Sequence, residues 1–198
     1  AVGDFTVYVE SDFRGQGEGS YNMRLRQAYI QLGALKFGKA WSTFCDPAAA
    51  PPTIDFEGPS GTVCARNMML QYHHRFNEHW SMASAIEMPS ATYTTLPNAS
   101  ENIKQRIPDL PSYIQYEWND GKSHIRWSNL LRFLSYRNLM EGKNKYVIGL
   151  ASQLSGMIAF SPRITFYYQA AYGHGYADYL NDLGGLGYDL IPDGDNGK

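Results

Sequence analysis

Apolar and polar residues alternate along most of this chain with a period of two. Ile125, Trp127 and Phe133 share one parity, and Arg126 and Arg132 share the other. Successive side chains of a strand point to opposite faces of its sheet, so this period is typical of strands with one apolar face. Similar runs recur at 5–10, 67–72, 80–88, 113–118, 146–151 and 164–169. The pattern predicts an antiparallel all-β protein with about nine strands.

The connections between the predicted strands differ in length in a regular order. Short ones lie at 76–79, 118–122 and 160–163. Long polar ones lie at 14–20, 45–63, 89–109, 138–144 and after Gly173. Short and long connections alternate from residue 45 onward, as in outer-membrane barrels, which have short periplasmic turns and long outer loops. The Asn-Asp-Gly-Lys segment at 119–122 is a strong hairpin signal, because glycine supplies a positive φ.

Alternation alone is equally typical of a soluble β-sandwich. The polar parity here is rich in Arg, Gln, His and Glu, which suits a water-filled lumen. The strands predicted at 123–136 and 145–160 are also longer than the ~5–6 residues usual in soluble sheets. We therefore predict an antiparallel transmembrane β-barrel whose lipid-facing residues include Trp80, Trp127, Phe133 and Ile164.

Composition mainly excludes other classes. A net charge of −2 argues against nucleic acid as a partner. No run of about 20 apolar residues exists to form a membrane helix. His73 and His74 would point to opposite faces of a strand and cannot share an ion, so we expect no metal site, and no cofactor is expected.

Without a Gly-x-Ser-x-Gly motif, an outer-membrane hydrolase is the weaker alternative. A soluble β-rich binding or structural protein is the third.

One connection, 45–64, has an unusual composition. The two cysteines of the chain, Cys45 and Cys64, bracket it, and it holds four prolines and the acids Asp55 and Glu57. Proline removes a backbone donor, so the segment is neither a central strand nor a helix interior. We predict a constriction loop that folds back into the barrel. Because the periplasm is oxidising, we also predict a disulfide between Cys45 and Cys64 at the base of this loop.

An acidic loop facing a basic wall would set a transverse electric field across a pore. The basic candidates for that wall are Arg24, Arg26, Lys39, Arg66, Arg126 and Arg132. Lys39 is the weaker candidate, because it shares its parity with Leu35 and Phe37. The alternative for each candidate is an ordinary solvated surface charge. Taken together, the candidates predict a mild preference for anions.

Four stretches resemble the DcaP-like trimeric outer-membrane porins: RLRQAY (24–29), WSTF (41–44), PTIDFEGP (52–59) with the following Arg66, and YGHGYADY (172–179). The similarity covers most of the chain, and the block from WSTF to TIDF is its most specific part. It implies a sixteen-stranded barrel, a homotrimer in the bacterial outer membrane, and passive diffusion of small anionic solutes such as dicarboxylates. Nine strands are too few for that barrel, so we expect residues 1–198 to be an internal piece of a longer chain, with both flanks missing. The cysteines depart from the family pattern.

Overall fold

The computed structural model describes residues 3–13, 22–54, 58–95 and 99–190. Within these ranges one antiparallel sheet contains ten strands. They are β1 (Phe5–Asp12), β2 (Arg24–Leu32), β3 (Leu35–Trp41), β4 (Arg66–Arg75), β5 (Trp80–Glu87), β6 (Ser100–Asn102), β7 (Leu110–Trp118), β8 (Ser123–Asn138), β9 (Lys143–Ser161) and β10 (Ile164–His174). Two 3-10 turns cover Pro47–Ala49 and Ala177–Tyr179. None of the described helical segments has the length and apolar character needed to cross a membrane.

Each strand pairs with the next along the chain, apart from the short β6, which pairs with the end of β8 while β5 pairs with β7. The prediction of an antiparallel all-β fold is therefore confirmed. The predicted long strands are present, since β8 has 16 residues and β9 has 19. In the described residues β1 and β10 form the two edges of the sheet, which stays open.

With the exception of the four-residue turn at 139–142, which lies at the end of the sheet with the long connections, the connections segregate by length to opposite ends of the sheet. The turns at 33–34, 76–79, 119–122 and 162–163 lie at one end, which we call the turn end. The segments at 42–65, 88–109 and 175–190 lie at the other, which we call the loop end. The hairpin predicted at 119–122 is confirmed, with positive φ at Asn119, Asp120 and Gly121.

The long connection predicted at 138–144 is wrong. A turn of only four residues, 139–142, joins β8 to β9. The two strands stay paired as far as Asn138 and Lys143, beyond the ends of their neighbours, so little chain remains for a loop.

The two faces of the sheet differ as the alternation predicts. The long connections fold onto one face, which we call the inner face, and the opposite one is the outer face. Trp80, Trp127 and Ile164 are 42%, 54% and 61% exposed on the outer face. Phe133 shares their face and is half-buried. Each of the four therefore points away from the long connections.

The buried core lies between the inner face and the long connections. The main cluster joins Phe44 and Val63 from 42–65 to Leu130 of β8, Ala151 of β9 and Tyr179 of 175–190. A second cluster joins Tyr93 and Leu190 to Leu134 and Tyr136 of β8. Apolar burial thus holds the connections against the inner face of the sheet.

Candidate functional site

The segment after β3 turns onto the inner face and is held there by Glu87. This carboxylate, fully buried on β5, accepts hydrogen bonds from Ser42 Oγ (2.8 Å) and the Thr43 backbone N–H (2.8 Å). Gln71 of β4 donates to Thr43 Oγ1 at 2.7 Å. Phe44 follows and is completely buried. The chain therefore leaves β3 across the inner face and not outward along the end of the strand.

Asp46 fastens the start of the 45–64 loop to β8 and β9. Its Oδ2 atom lies 2.8 Å from His124 Nε2 and accepts a hydrogen bond of 2.7 Å from Ser155 Oγ. Its Oδ1 atom lies 3.7 Å from Arg126 Nη1. Burial alone would raise the pKa of Asp46, but the hydrogen bond with His124 and the charge of Arg126 outweigh it and hold the pKa below its usual range. The anchor is therefore a carboxylate at neutral pH.

The return limb of the loop pairs with the 175–190 connection. The Gly61 N–H donates to Asp182 Oδ2 at 2.6 Å, and the Asn181 N–H donates to the Thr62 carbonyl at 2.9 Å. The 3-10 turn at Pro47–Ala49 contacts β9 and β10. The described parts of the loop, 45–54 and 58–64, thus lie over the inner face. The predicted acids Asp55 and Glu57 fall outside the described residues.

The structure contradicts the predicted disulfide, because Cys45 and Cys64 are free thiols. Cys45 is buried, and its Sγ accepts a hydrogen bond from the Ala65 N–H at 3.1 Å. Backbone hydrogen bonds close the base of the loop instead, from Ser42 N–H to Ala65 O (2.9 Å) and from Cys64 N–H to Tyr179 O (2.8 Å). Burial raises the pKa of both thiols, which keeps them protonated and slow to oxidise.

A polar cavity of ≈ 380 Å³ lies on the inner face beside the start of the loop. Two cations line it, Lys36 of β3 and Arg126 of β8, and its described lining contains no carboxylate. The other lining residues with polar or aromatic side chains are Tyr8, Gln27, Tyr29, Trp41, Ser42, Thr43, Gln71 and Tyr113. The cavity is therefore rich in positive charge and in hydrogen-bond donors.

The closest contacts of both cations of this cavity are with neutral groups. Arg126 donates through Nε to Gln115 Oε1 (2.5 Å) and through Nη1 to the Cys45 carbonyl (2.9 Å). Its guanidinium carbon lies 4.1 Å from the centre of the Tyr113 ring. Lys36 Nζ lies 4.9 Å from the centre of the Tyr29 ring. Contacts with carbonyls and ring faces orient the cations without cancelling their charge. The Asp46 carboxylate, 3.7 Å from Arg126 Nη1, compensates part of the charge of Arg126, whereas Lys36 has no ion-pair partner among the described residues.

The lysine of β3 that faces the cavity is Lys36 and not the predicted Lys39. Lys39 lies on the outer face, half-buried, with Nζ 3.4 Å from the Leu25 carbonyl, so its prediction as a wall residue is wrong. Lys36 lies on the inner face, and the alternation of β3 holds the signal, since Lys36 stands between the outward Leu35 and Phe37.

The predicted arginines of β2 lie at the loop end and are paired with acids. Arg24 binds Asp12 through two hydrogen bonds of 3.0 and 2.7 Å. Arg26 binds Glu10 at 2.9 Å and Asp12 at 3.0 Å. A break in the register beside Glu10 lets Arg26 and its neighbour Gln27 both reach that carboxylate. These two arginines therefore carry compensated charge.

Arg66, at the start of β4, has an aromatic partner. Its guanidinium carbon lies 3.5 Å from the centre of the Trp41 ring. Its Nε has no hydrogen-bond partner among the described residues. The charge of Arg66 is therefore less compensated than the charges of the β2 arginines.

Arg132 does not line an open space, so its prediction as a pore-lining residue is wrong. It is 1% exposed on β8, beneath the long connections. Its Nε donates to Asp109 Oδ2 (3.1 Å), and its Nη1 donates to Asp189 Oδ1 (2.8 Å). It also donates to the carbonyls of Ser90 and Gly175. Arg132 therefore ties the 88–109 and 175–190 connections to the sheet.

A buried polar network surrounds Arg132. Tyr179 OH lies 3.0 Å from Asp109 Oδ2 and 3.3 Å from Glu87 Oε2. Burial raises the pKa of Asp109 to about 6 and that of Asp189 to about 6, against the opposing charge of Arg132. Burial also raises the pKa of Tyr179, which stays a neutral donor. The residues come from distant parts of the sequence, and no local motif marks them.

Comparison with known proteins gave two matches that agree with this architecture. The family model for the DcaP outer membrane protein matches residues 1–158. The crystal structure of the outer membrane channel DcaP of Acinetobacter baumannii matches with a TM-score of 0.78 at 23% sequence identity. That match covers 99% of this chain and 54% of the other, so this chain spans about half the length of that one. Comparison with curated proteins gave no match. This chain belongs to the DcaP outer membrane protein family and is placed by it in the bacterial outer membrane, as its sequence predicted.

Proposed function

We propose that this chain forms part of the wall of a passive channel for small hydrophilic solutes, with a preference for anions such as dicarboxylates. The observation that carries the proposal is the inner-face cavity, which Lys36 and Arg126 line without a carboxylate. A carboxylate solute that enters the cavity exchanges water for ammonium, guanidinium, amide and phenol donors. Charges of one sign in a narrow polar space also raise the local concentration of the opposite ion.

The proposal gives the 45–64 loop the role of the constriction. Asp46 fixes its start to β8 and β9, and Gly61 and Thr62 fix its return limb to the 175–190 connection. A loop held at both limbs over the inner face narrows the space that a solute crosses. Asp55 and Glu57 would supply the acidic side of a transverse field opposite the cations of the wall.

The basic candidates do not contribute equally to the proposed selectivity. Arg24 and Arg26 are compensated by acids, and Arg132 is buried between two carboxylates. Lys36 and Arg66 have no ion-pair partner among the described residues, and Arg126 shares part of its field with the Asp46 carboxylate at 3.7 Å. The homotrimeric assembly implied by the sequence resemblance is a further part of this proposal.

Reversal potentials of the full-length protein in planar bilayers test the selectivity. A unit charge ~5–10 Å from a passing anion in water contributes about 0.4–0.8 kcal/mol. The same charge repels a passing cation by the same energy, so Lys36→Gln and Arg126→Gln should each lower the anion-to-cation permeability ratio about four- to fifteenfold at low salt. Lys39→Gln is the matched control, with the same charge change on the outer face of the same strand. Equal effects of Lys36→Gln and Lys39→Gln, or no effect of Arg126→Gln, would overturn the proposal.

A further inference from the structure

One row of polar residues crosses the mainly apolar outer face. It consists of Ser84 on β5, Ser112 on β7, Asn129 on β8 and Ser152 on β9. The residues are direct cross-strand partners, since Ser84 pairs with Ser112, Ser112 with Asn129, and Asn129 with Ser152. They therefore form a continuous line across four strands, ~14 Å long at the usual spacing between strands.

The row lies within the apolar part of the outer face. Trp127 and Leu131 flank Asn129 along β8, and Leu150 and Leu154 flank Ser152 along β9. Asn129 lies six residues from the start of β8 at the turn end, which corresponds to ~20 Å along the strand. With the usual strand tilt of about 40°, this distance is ~15 Å along the membrane normal, inside an apolar band of ~25 Å.

Most of the hydrogen-bonding capacity of this row is unused. Trp127 Nε1 donates to Ser152 Oγ at 2.8 Å. The side chains of Ser84, Ser112 and Asn129 have no hydrogen-bond partner among the described residues. Hydrocarbon chains supply neither donors nor acceptors, and an amide without a partner in such surroundings is costly. Lipid is therefore a poor cover for this row.

We propose that a second copy of the chain packs over the Ser84–Ser152 row in the assembled channel. This inference rests on the oligomer of the proposed function. Hydroxyl and amide groups are both donors and acceptors, so polar groups on the facing surface of the neighbouring copy can satisfy them. Serine is small, and small polar residues at a membrane contact allow close approach and hydrogen bonds. A closed ring of identical copies buries such a patch on every copy.

Spin labels test the contact in the full-length protein. Asn129→Cys or Phe37→Cys is placed in a Cys45→Ala/Cys64→Ala background in which any further cysteine of the full-length protein is also replaced, labelled with a nitroxide and reconstituted in bilayers. Phe37, 55% exposed on the outer face of β3, is the lipid-facing control. We expect the oxygen accessibility at 129 to be at least about threefold lower than at 37. Equal accessibility at both positions would overturn the inference.

Two further measurements keep the test decisive. Light scattering gives the mass of the same reconstituted protein independently. A trimer in which position 129 is accessible to oxygen would overturn this contact but not the proposed assembly, whereas a monomer would overturn both. Where the labelled variant does not fold, quenching of Trp127 by brominated lipids, in a variant that has Trp127 as its sole tryptophan, replaces the label. Trp127, predicted from its parity to face lipid, would face the second copy under this inference, so weak quenching is expected. Strong quenching would overturn the contact.

Discussion

Replacing Arg132 with methionine tests whether the buried network holds the long connections in place. Arg132→Met keeps a long unbranched side chain and removes the guanidinium. Asp109 and Asp189 then lose ion pairs of 3.1 and 2.8 Å. The carbonyls of Ser90 and Gly175 lose their donors as well. The variant therefore leaves two carboxylates in a site where the side chain of Arg132 is only 1% exposed.

Arg132→Met removes one partner of a buried ion pair, so we expect a large decrease in the free energy of unfolding. Such a loss typically costs 3–5 kcal/mol. Below about pH 6, Asp109 and Asp189 bind protons and lose their charge. The free energy of unfolding that Arg132→Met removes should therefore become smaller as the pH falls. The triple variant Arg132→Met/Asp109→Asn/Asp189→Asn removes the charges together and should lose about 2 kcal/mol or less.

The assay is denaturant unfolding of the full-length protein in micelles, followed by tryptophan fluorescence at pH 7 and pH 5. Lys145→Met is the matched control, since it removes a cation from the exposed ion pair with Glu141. Exposed pairs contribute about 1 kcal/mol or less. The reasoning is refuted if Arg132→Met unfolds at the same denaturant concentration as Lys145→Met. It is equally refuted if the triple variant is as unstable as the single one.

Two further predictions concern protons and thiols. The pKa of about 6 for Asp109 and for Asp189 lies above the usual value of 3.8, so between pH 4 and 6 the folded protein binds more protons than the unfolded chain. The contribution of these carboxyls to stability therefore falls as the pH rises through that window. The double variant Asp109→Asn/Asp189→Asn should make the denaturant midpoint of unfolding less dependent on pH between pH 4 and 7. Thiol titration of denatured, unreduced protein should find Cys45 and Cys64 both reactive, and a result of zero for this pair would restore the disulfide.

The faces of the strands follow from the sequence because a strand has one exact period. Trp127 lies on the outer face and Arg126 on the inner face, as their parity predicts. Lys36 obeys the same rule, since it stands between the outward Leu35 and Phe37 and lies on the inner face. The hairpin at 119–122 could also be predicted from the sequence, because its residues favour the positive φ angles that the turn requires.

What covers each face could not be predicted from parity. Arg126 and Arg132 share the inner face of β8, yet one lines a cavity and the other is buried under two connections. The difference depends on Asp109 and Asp189, single acids within polar segments that give no local signal. The disulfide prediction failed for a related reason, because cysteines at the two ends of a loop do not fix how its thiols are packed.

The position of the core beneath the connections has a consequence for the order of folding. Several contacts that build it join residues more than 100 positions apart, including Asp46 with Ser155, Asn67 with Tyr179, and Gly61 with Asp182. A segment docked on the inside of a barrel becomes enclosed when the last strands pair. The 45–64 loop must therefore reach the inner face either before the barrel closes or afterwards through the open mouth at the loop end, because it cannot cross a hydrogen-bonded wall. A chain that closed with this loop outside would have paired strands but would lack the main buried cluster, to which the segment contributes Cys45 and Val63.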